Sequence, residues 1–392
     1  MFLVYFMLTT TIFLIALSNG NEGVSIRIFG GGDDGYFYWE QAKNIAAGRD
    51  AILTSIYPLI IGYIVKITGI ESVYIIRLFN FFGFVLLVLF SIYLIKLFSK
   101  LEDKKFGLHW VYDAKIVLLI IFLLYPSLQI QVNLSIYRDV WIYLIYLLST
   151  ILSMKIIFIG SNRVLNFLLL LLTLWLLGEF RTYSLLSFLL TVAFYFFYKW
   201  TKKLKKPSFI PILLILLFGI YYKFFMDYQV PIVNMSLKQV LNYRNYFLTI
   251  APGGSQMEIN LDQPSFTLFI INYIHSYVGN LLGPLPWHIR NTSTLFAFFT
   301  ETIPMLLILI FLWNKRGIIT KVQEYVLLHA FIWIGLIAVS NDNIGAATRL
   351  RAVGWILILI VFASVFSKSR CIKKKRCIDQ NLILEKKEGL LG

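Results

Sequence analysis

The chain has 392 residues, of which 59% are hydrophobic and only 14% are charged, and its mean hydropathy is +0.76. Soluble globular proteins carry about 45–50% apolar and about 25% charged residues. The composition therefore excludes a soluble enzyme and a disordered chain, and it predicts an all-α polytopic membrane protein. The net charge of +16 is compatible with binding to nucleic acid or anionic lipid, or with the positive-inside bias of membrane proteins.

Ten stretches of the chain are apolar enough to predict membrane-spanning helices, which need about 17–25 residues. The first resembles a signal peptide but lacks a basic segment at its start, so we expect an uncleaved helix. The fifth and sixth stretches are of marginal length, and residues 179–183 form a tight turn between them. The ten stretches lie at about 1–17, 73–95, 116–132, 140–158, 164–178, 184–198, 208–225, 295–313, 323–340 and 352–367.

Lys and Arg residues accumulate in cytoplasmic loops, so their distribution predicts the topology. With the N- and C-termini in the cytoplasm, 23 of the 36 basic and 7 of the 20 acidic residues face that side, which accounts for the net charge. If 266–282 were an eleventh span, only 15 basic residues would do so, and we therefore expect an interfacial or re-entrant helix there. The predicted cytoplasmic segments are 96–115, 155–163, 199–206, 314–322 and the tail.

This topology divides the chain into a membrane domain, residues 1–367, and a basic cytoplasmic tail, residues 368–392. Two long loops, 18–72 and 226–294, are left on the outer face, while the other connections are short. Function in membrane scaffolds is concentrated in long ordered loops. The two outer loops are therefore the predicted place for a functional site.

The first outer loop carries the sequence GGGDDGYFYWEQAKNIAAGRD at residues 30–50. Three glycines precede Asp33 and Asp34, and an amphipathic helix is predicted from about Tyr36 to Ala47. One interpretation is a capped surface helix, because aspartate is a favoured N-cap residue. Capping needs only one aspartate, however, so the pair also indicates a catalytic base or ligands for a divalent cation.

The same loop resembles a known superfamily, the GT-C membrane glycosyltransferases, and in particular its branch of protein O-mannosyltransferases and lipid A aminoarabinose transferases. Members have a cytoplasmic N-terminus, one span, and an outer loop with the motif D-x3-Y-x3-A, which Asp34, Tyr38 and Ala42 match. Residues 57–59 (YPL) and 77–80 (RLFN) are similar to the helix and to the entry of the second span that follow this motif in the family.

The resemblance covers roughly residues 1–160, and it implies a reaction. Enzymes of this family transfer a sugar, with inversion, from a polyprenyl-phosphate or polyprenyl-diphosphate carrier to an acceptor hydroxyl of a glycan or lipid. The site would face the outside of the inner or plasma membrane. The resemblance implies Asp34 as the base, with Asp33 as a support, a metal ligand or an alternative base, and Tyr38 near the substrate.

Arginines at the outer ends of membrane helices are candidates for phosphate binding, because ionisable residues in such places are functional hypotheses by default. Arg349 and Arg351 form an R-x-R pair at the start of the last span, on the side where basic residues are disfavoured. Two arginines after a Gly/Asn-rich loop favour bidentate capture of phosphate oxygens.

Three further arginines are weaker candidates for the same role. Arg138 is followed by Asp139, and the two residues are equally typical of an interfacial ion pair. Arg181 lies in the tight turn GEFRTY and is also explained as an ordinary turn residue. Arg244 lies within the second outer loop.

The predicted cytoplasmic segments are weaker candidates for catalysis than the outer loops. Basic runs at 199–206 and 368–377 lie beside membrane helices and are explained by anionic lipid headgroups, at about 1 kcal/mol per basic residue. We expect no nucleic-acid partner, because the sequence contains neither a folded reader nor a long basic arm. Cys371 and Cys377 make a poor metal site and a disulfide framework is excluded, since no other cysteine is present.

Two other functions stay open. A repeat-unit polymerase of O-antigen or capsule also joins lipid-linked oligosaccharides on the outer face, and the arginines and the second outer loop fit it. A transporter or flippase of lipid-linked sugars would place charges or broken helices near the bilayer midplane, whereas the ionisable residues here gather at the predicted helix ends.

Overall fold

A computed structural model of the chain describes residues 1–26, 34–101, 109–160, 162–202, 210–249 and 255–388. Within these ranges nearly all regular structure is helical, which confirms the all-α class. The one sheet among the described residues is a short antiparallel hairpin of β1 (Gln229–Val230) and β2 (Met235–Ser236), in which Gln229 pairs with Ser236.

The helices that matter for the site are taken in two groups. The first half of the chain forms α1 Phe2–Ser18, α2 Asp34–Ala46, α3 Ile56–Thr68, α4 Val73–Leu101, α5 His109–Leu124, α6 Pro126–Asn133, α7 Asp139–Met154, α8 Arg163–Phe180 and α9 Thr182–Thr201. The second half forms α10 Ile210–Phe224, α11 Leu237–Thr249, α12 Phe266–Leu282, α13 Thr292–Ala297, α14 Ile303–Asn314, α15 Lys321–Ser340, α16 Ile344–Leu350 and α17 Ala352–Glu388.

Seven described helices or helix runs are long and apolar enough to cross a membrane, so a multi-pass protein is supported. Helices lie at all ten predicted positions, but α1, with 17 residues, and α10, with 15, are apolar helices too short to be counted among the seven. Helix α12, the questioned eleventh candidate, is not among the seven. The seven are Val73–Leu101, Asp139–Ile159, Arg163–Phe180, Thr182–Thr201, Thr292–Asn314, Lys321–Ser340 and Ala352–Lys373.

The span predicted at 116–132 is not one continuous helix. Helices α5 and α6 meet there at an angle of 67°, so the pair is either an eighth candidate span that is broken or a re-entrant loop. The break lies at Tyr125, whose backbone is extended, and Pro126 is the first residue of α6. Proline lacks an N–H group and disfavours the helical conformation of the residue before it, and both effects end α5 here.

The core of the bundle is built around α17, which packs against α5 and α15. Of its most apolar 18-residue window, 83% is buried, compared with 22% for α8 and for the run Thr292–Asn314. A helix that is apolar on all sides belongs in a core or against lipid. Helix α17 is therefore the central helix, and α8 and the run Thr292–Asn314 are exposed to the surroundings of the bundle.

The two helices of the first long loop, α2 and α3, pack against each other. Gly62 of α3 permits the contact, because a Cβ atom there would lie 2.7 Å from the Cβ of Ile45 on α2. Gly48 follows α2 with a positive φ of +69°, which glycine adopts without strain. The first residue of this helical pair, Asp34, begins the functional site.

Candidate active site

Charged side chains from four separate connections meet at one end of the helix bundle. They come from the first turn of α2, the start of α7, the residue between α8 and α9, and the last turn of α16. All four connections were predicted to lie on one side of the membrane, and their meeting at one end is consistent with that topology. We call these side chains, together with Tyr38, the Asp34 site. Its charged members are Asp34, Arg138, Asp139, Arg181 and Arg349.

Ion pairs connect the members of the Asp34 site. The Nη1 atom of Arg349 donates to Oδ2 of Asp34 at 2.8 Å, and its Nε atom lies 3.4 Å from Oδ2 of Asp139. The Nη1 atom of Arg181 donates to Oδ1 of Asp139 at 3.3 Å and to the hydroxyl of Tyr183 at 2.8 Å. The Asp34 side chain is 45% exposed and that of Asp139 only 2%. Asp139 is therefore the buried partner of Arg181 and Arg349, while Asp34 is open to the surroundings.

Arg138 differs from the other two arginines because it makes no ion pair with any described residue. Its guanidinium lies 5.8 Å from the ring centre of Tyr38, and its Nε atom is buried without a hydrogen-bond partner in the described part of the chain. Burial, and then the nearby Arg181, lower the pKa of Arg138. Among the described residues, three arginines and two carboxylates leave the site with one excess positive charge, and Arg138 is the arginine of the three that has no carboxylate partner there.

The pKa values of the neighbouring groups reflect the same charges. The pKa of Arg349 is raised by Asp139 and, to a smaller extent, by Asp34, so this guanidinium stays charged at any physiological pH. Burial raises the pKa of the Tyr38 hydroxyl to about 12. The Tyr38 hydroxyl is therefore neutral, and it is suited neither to an acidic nor to a basic role in the site.

A chain of aromatic and amide contacts fixes α2 relative to the start of α7. The ring of Tyr38 packs edge-on against Tyr57 of α3, with ring centres 5.3 Å apart. The Tyr57 hydroxyl donates to Oδ1 of Asn80 at 3.1 Å, and Nδ2 of Asn80 donates to the carbonyl of Tyr137 at 2.9 Å. The contacts extend from the helix of Asp34 to the residue that precedes Arg138, so both are held in one frame.

Arg77 holds the backbone beneath this frame. Its buried guanidinium donates to the carbonyls of Gly23 and Val24 at 2.9 and 2.8 Å, and to those of Asn133 and Leu134 at 2.5 and 3.2 Å. The first pair belongs to the segment before α2 and the second to the end of α6. Arg77 and Asn80 both belong to the RLFN stretch, whose place in the fold is therefore to join the two halves of the site.

Helix α16 presents Arg349 to the carboxylates. Asn343 caps its first turn, accepting from the amide of Ala346 at 3.0 Å. At the other end, the Tyr143 hydroxyl donates to the carbonyl of Arg349 at 2.8 Å, and the Trp333 indole donates to that of Leu350, also at 2.8 Å. Because its last turn is held in this way, the backbone that carries Arg349 is fixed.

The structure separates Arg351 from Arg349. Arg351 is fully buried, pairs with Glu301 at 2.7 Å, donates to the carbonyl of Gly283 and lies 4.0 Å from the ring centre of Trp355. Side chains two positions apart on a helical turn point to opposite sides, which is why the pair does not act as one phosphate clamp. Of the predicted pair, only Arg349 reaches the Asp34 site.

Arg244 is also occupied by the protein itself. It is 1% exposed, its Nη2 atom lies 2.6 Å from Oδ1 of Asp342, and burial lowers its pKa to about 10. All three of its nitrogens donate hydrogen bonds, so none is left for a phosphate. Its remaining acceptors are the carbonyls of Ile259, Ala338 and Asn341 and the hydroxyl of Ser276.

The suggested metal site at Asp33 and Asp34 is not resolved by the geometry. Asp33 lies outside the described residues. Among the residues that the structure does describe, no group of three or more His, Cys, Asp or Glu side chains is placed to hold a metal ion. A divalent cation held by these two aspartates stays a prediction.

Asp139 has more ion-pair partners than its place in the sequence predicts. The sequence indicates only a pair with the neighbouring Arg138, whereas the structure pairs Asp139 with Arg181 and Arg349. Those two arginines follow it by 42 and by more than 200 positions along the chain. The available signal was an aspartate at the first position of a membrane helix, where a buried carboxylate needs a cationic partner.

Comparisons of the chain with protein-family models, with curated proteins and with solved structures find no match. The chemical capacity of the site is therefore inferred from its own residues. An accessible carboxylate can accept a proton, and guanidinium groups beside it can stabilise an anionic oxygen. The Asp34 site combines the two.

Proposed function

We propose that this protein is a membrane glycosyltransferase that resembles the GT-C superfamily. It transfers a sugar from a polyprenyl-phosphate or polyprenyl-diphosphate carrier to a hydroxyl of a cell-envelope glycan or lipid, with inversion at the anomeric carbon. The observation that carries the proposal is the ion pair between the exposed Asp34 carboxylate and Arg349. This pair belongs to a site whose described members have one excess positive charge.

The proposed roles follow from exposure and pairing. Asp34 takes the proton of the acceptor hydroxyl as its oxygen attacks the anomeric carbon. Arg138, which has no carboxylate partner among the described residues, binds a phosphate oxygen of the donor, and Arg349 joins it as the carrier phosphate leaves. Arg181 keeps Asp139 in place and touches no reacting atom.

The membrane supplies the setting for a lipid-linked donor. The carrier tail stays among the apolar helices while its phosphate reaches the helix ends, where the Asp34 site lies. We place this end on the extracytoplasmic face of the inner or plasma membrane, because most of the basic residues lie in the connections assigned to the opposite side. The basic tail there binds anionic lipid headgroups.

Lipid-linked intermediates of a deletion strain test the proposal. A transferase predicts that the strain accumulates an incomplete unit or an undecorated glycan, and that the wild-type gene restores the product. A normal pool of intermediates together with a normal glycan would refute it. Loss of export of complete units, with no change in their composition, would instead favour a flippase.

A repeat-unit polymerase is the second candidate. It is favoured by the three arginines of the Asp34 site, which suit a diphosphate, and by the long second loop that packs beside α16. A polymerase predicts that the deletion strain accumulates single complete repeat units on the carrier. The same sizing of lipid-linked intermediates therefore distinguishes it from the transferase.

The role of a metal ion is tested separately. If Asp33 and Asp34 hold a divalent cation, EDTA abolishes transfer in purified membranes and the added cation restores it. If Asp34 acts as a base without metal, transfer is unchanged by EDTA. Either result leaves the glycosyltransferase proposal in place and decides how the two aspartates act.

A further inference from the structure

Arg349 lies between two carboxylates of very different exposure. Its Nη1 atom is 2.8 Å from the exposed Asp34, and its Nε atom is 3.4 Å from the buried Asp139. The buried contact is a charge contact, because Nε of Arg349 makes no hydrogen bond within the described residues, and it attracts the guanidinium whatever happens to the exposed one. The exposed contact, in turn, can be broken and remade without moving α16.

We propose that Arg349 exchanges Asp34 for the carrier phosphate at the moment when Asp34 accepts the acceptor proton. The inference rests on the proposed function and adds a coupling between its base and its leaving group. Before the reaction Arg349 binds the negative carboxylate. Once the carboxylate is protonated, that attraction is lost, and the guanidinium is released toward the new negative charge.

The bonds and charges of the step balance. The acceptor O–H bond breaks and its proton goes to an oxygen of Asp34, while the acceptor oxygen forms a bond to the anomeric carbon. The bond from that carbon to the phosphate oxygen breaks, and its electron pair stays on the phosphate. For a monophosphate carrier, a phosphodiester with one negative charge becomes a phosphate monoester with two.

The site has the charge that this exchange requires. Its described members, three arginines and two carboxylates, have a sum of +1, which a phosphodiester of charge −1 neutralises. After transfer, Asp34 is neutral and the phosphate carries −2, so the total is again zero. An unbalanced charge is costly in a partly buried place. Proton transfer to Asp34 keeps the sum at zero, and the exchange places Arg349 beside the dianionic phosphate instead of beside a neutral acid.

The other arginines are less suited to the exchange. Arg181 already donates to Asp139 and to the Tyr183 hydroxyl, and neither partner changes its charge in the reaction. Arg138 has no carboxylate partner in the described part of the chain that it would have to release, so it binds the donor phosphate from the start. Arg349 is the described arginine whose partner is the proposed base itself.

Binding of farnesyl phosphate, a short polyprenyl monoester that mimics the product, tests the exchange. The protein in lipid nanodiscs is titrated at about pH 7.5, where the monoester is mostly dianionic. The substitution Asp34→Asn mimics the protonated base, and we expect it to tighten binding about fivefold, because Arg349 is then free. Asp34→Ala, which also removes the charge, serves as a second variant with the same expectation.

Two controls make the result specific. Glu40→Gln removes the same charge from the exposed side of α2 without touching Arg349, and we expect no change in affinity. In an Arg349→Gln background, Asp34→Asn should bring no further gain, because the arginine that it frees is absent. A gain of equal size in that background would mean that only the general charge of the site had changed.

The outcomes separate the exchange from the proposed function. If the wild type binds farnesyl phosphate better than farnesol but Asp34→Asn and Asp34→Ala bind it no more tightly, the exchange is refuted and the phosphate site stands. If the wild type does not distinguish farnesyl phosphate from farnesol, the phosphate site is refuted, and the exchange and the proposed function fail with it.

Discussion

Arg349 donates a 2.8 Å hydrogen bond to the carboxylate of Asp34, although the two residues lie 315 positions apart in the chain. The contact joins the first long loop to the last connection before the central helix α17. Since one partner is exposed and the other is anchored by the buried Asp139, the pair combines a reactive group with a fixed one. That division of roles leads to distinct expectations for each residue of the site.

Asp139→Asn should damage both the fold and the activity. Asp139 is the buried partner of Arg181 and Arg349, and its replacement leaves two guanidinium groups without their common counter-charge. Breaking a buried pair by removing one partner costs about 3–5 kcal/mol. We expect a lower melting temperature in detergent and loss of glycan product. A variant with wild-type stability would show that Asp139 does not hold the site.

Arg138→Gln should weaken use of the donor with little effect on stability. Arg138 has no ion pair among the described residues, so its removal leaves no buried carboxylate unpaired. A lost charge-assisted contact to phosphate corresponds to about 1.5–3 kcal/mol, or about 10- to 100-fold in apparent donor affinity. Arg138→Lys, which keeps the charge, should retain part of that affinity. Normal donor affinity in Arg138→Gln would reject its role.

Arg351→Gln should be a stability variant only. The substitution leaves the buried carboxylate of Glu301 without its partner, at a cost of about 3 kcal/mol or more. We expect less folded protein in the membrane, while the folded fraction binds the donor normally. Donor affinity per folded molecule is the measurement that decides. A specific loss of affinity with normal stability would return Arg351 to the phosphate site.

The pH dependence of stability should have a contribution from His288, in the loop after α12. Burial, and then His275, lower the pKa of His288 to about 4, against an ordinary value of about 6.5. Between these values the unfolded chain binds a proton that the folded chain does not, so acidification favours unfolding. When the pH is lowered from about 7.5 to about 5, the melting temperature of the wild type should fall about 2 °C further than that of His288→Gln. Equal falls in melting temperature would exclude His288 as a source of the pH dependence.

Composition and hydropathy predicted the helical membrane class and the positions of the long helices, because both depend on local sequence. The acidic motif of the first outer loop indicated Asp34, and the places of basic residues at the outer helix ends indicated Arg138 and Arg349. What they could not predict is which arginines meet. Arg244 and Arg351 have the same sequence character as Arg349, and only long-range packing pairs them with Asp342 and Glu301 instead. Partner choice between distant connections is set by tertiary packing, which no local pattern records.

The most direct test of the central claim, that Asp34 is the base of a sugar transfer, is product formation in a deletion strain that carries wild type, Asp34→Asn or Asp34→Glu at equal membrane levels. The Asp34 side chain is 45% exposed, so neither substitution is expected to unfold the protein. We predict full product with wild type, none with Asp34→Asn, and a reduced amount with Asp34→Glu, which keeps a displaced carboxylate. Normal product from Asp34→Asn would contradict the account.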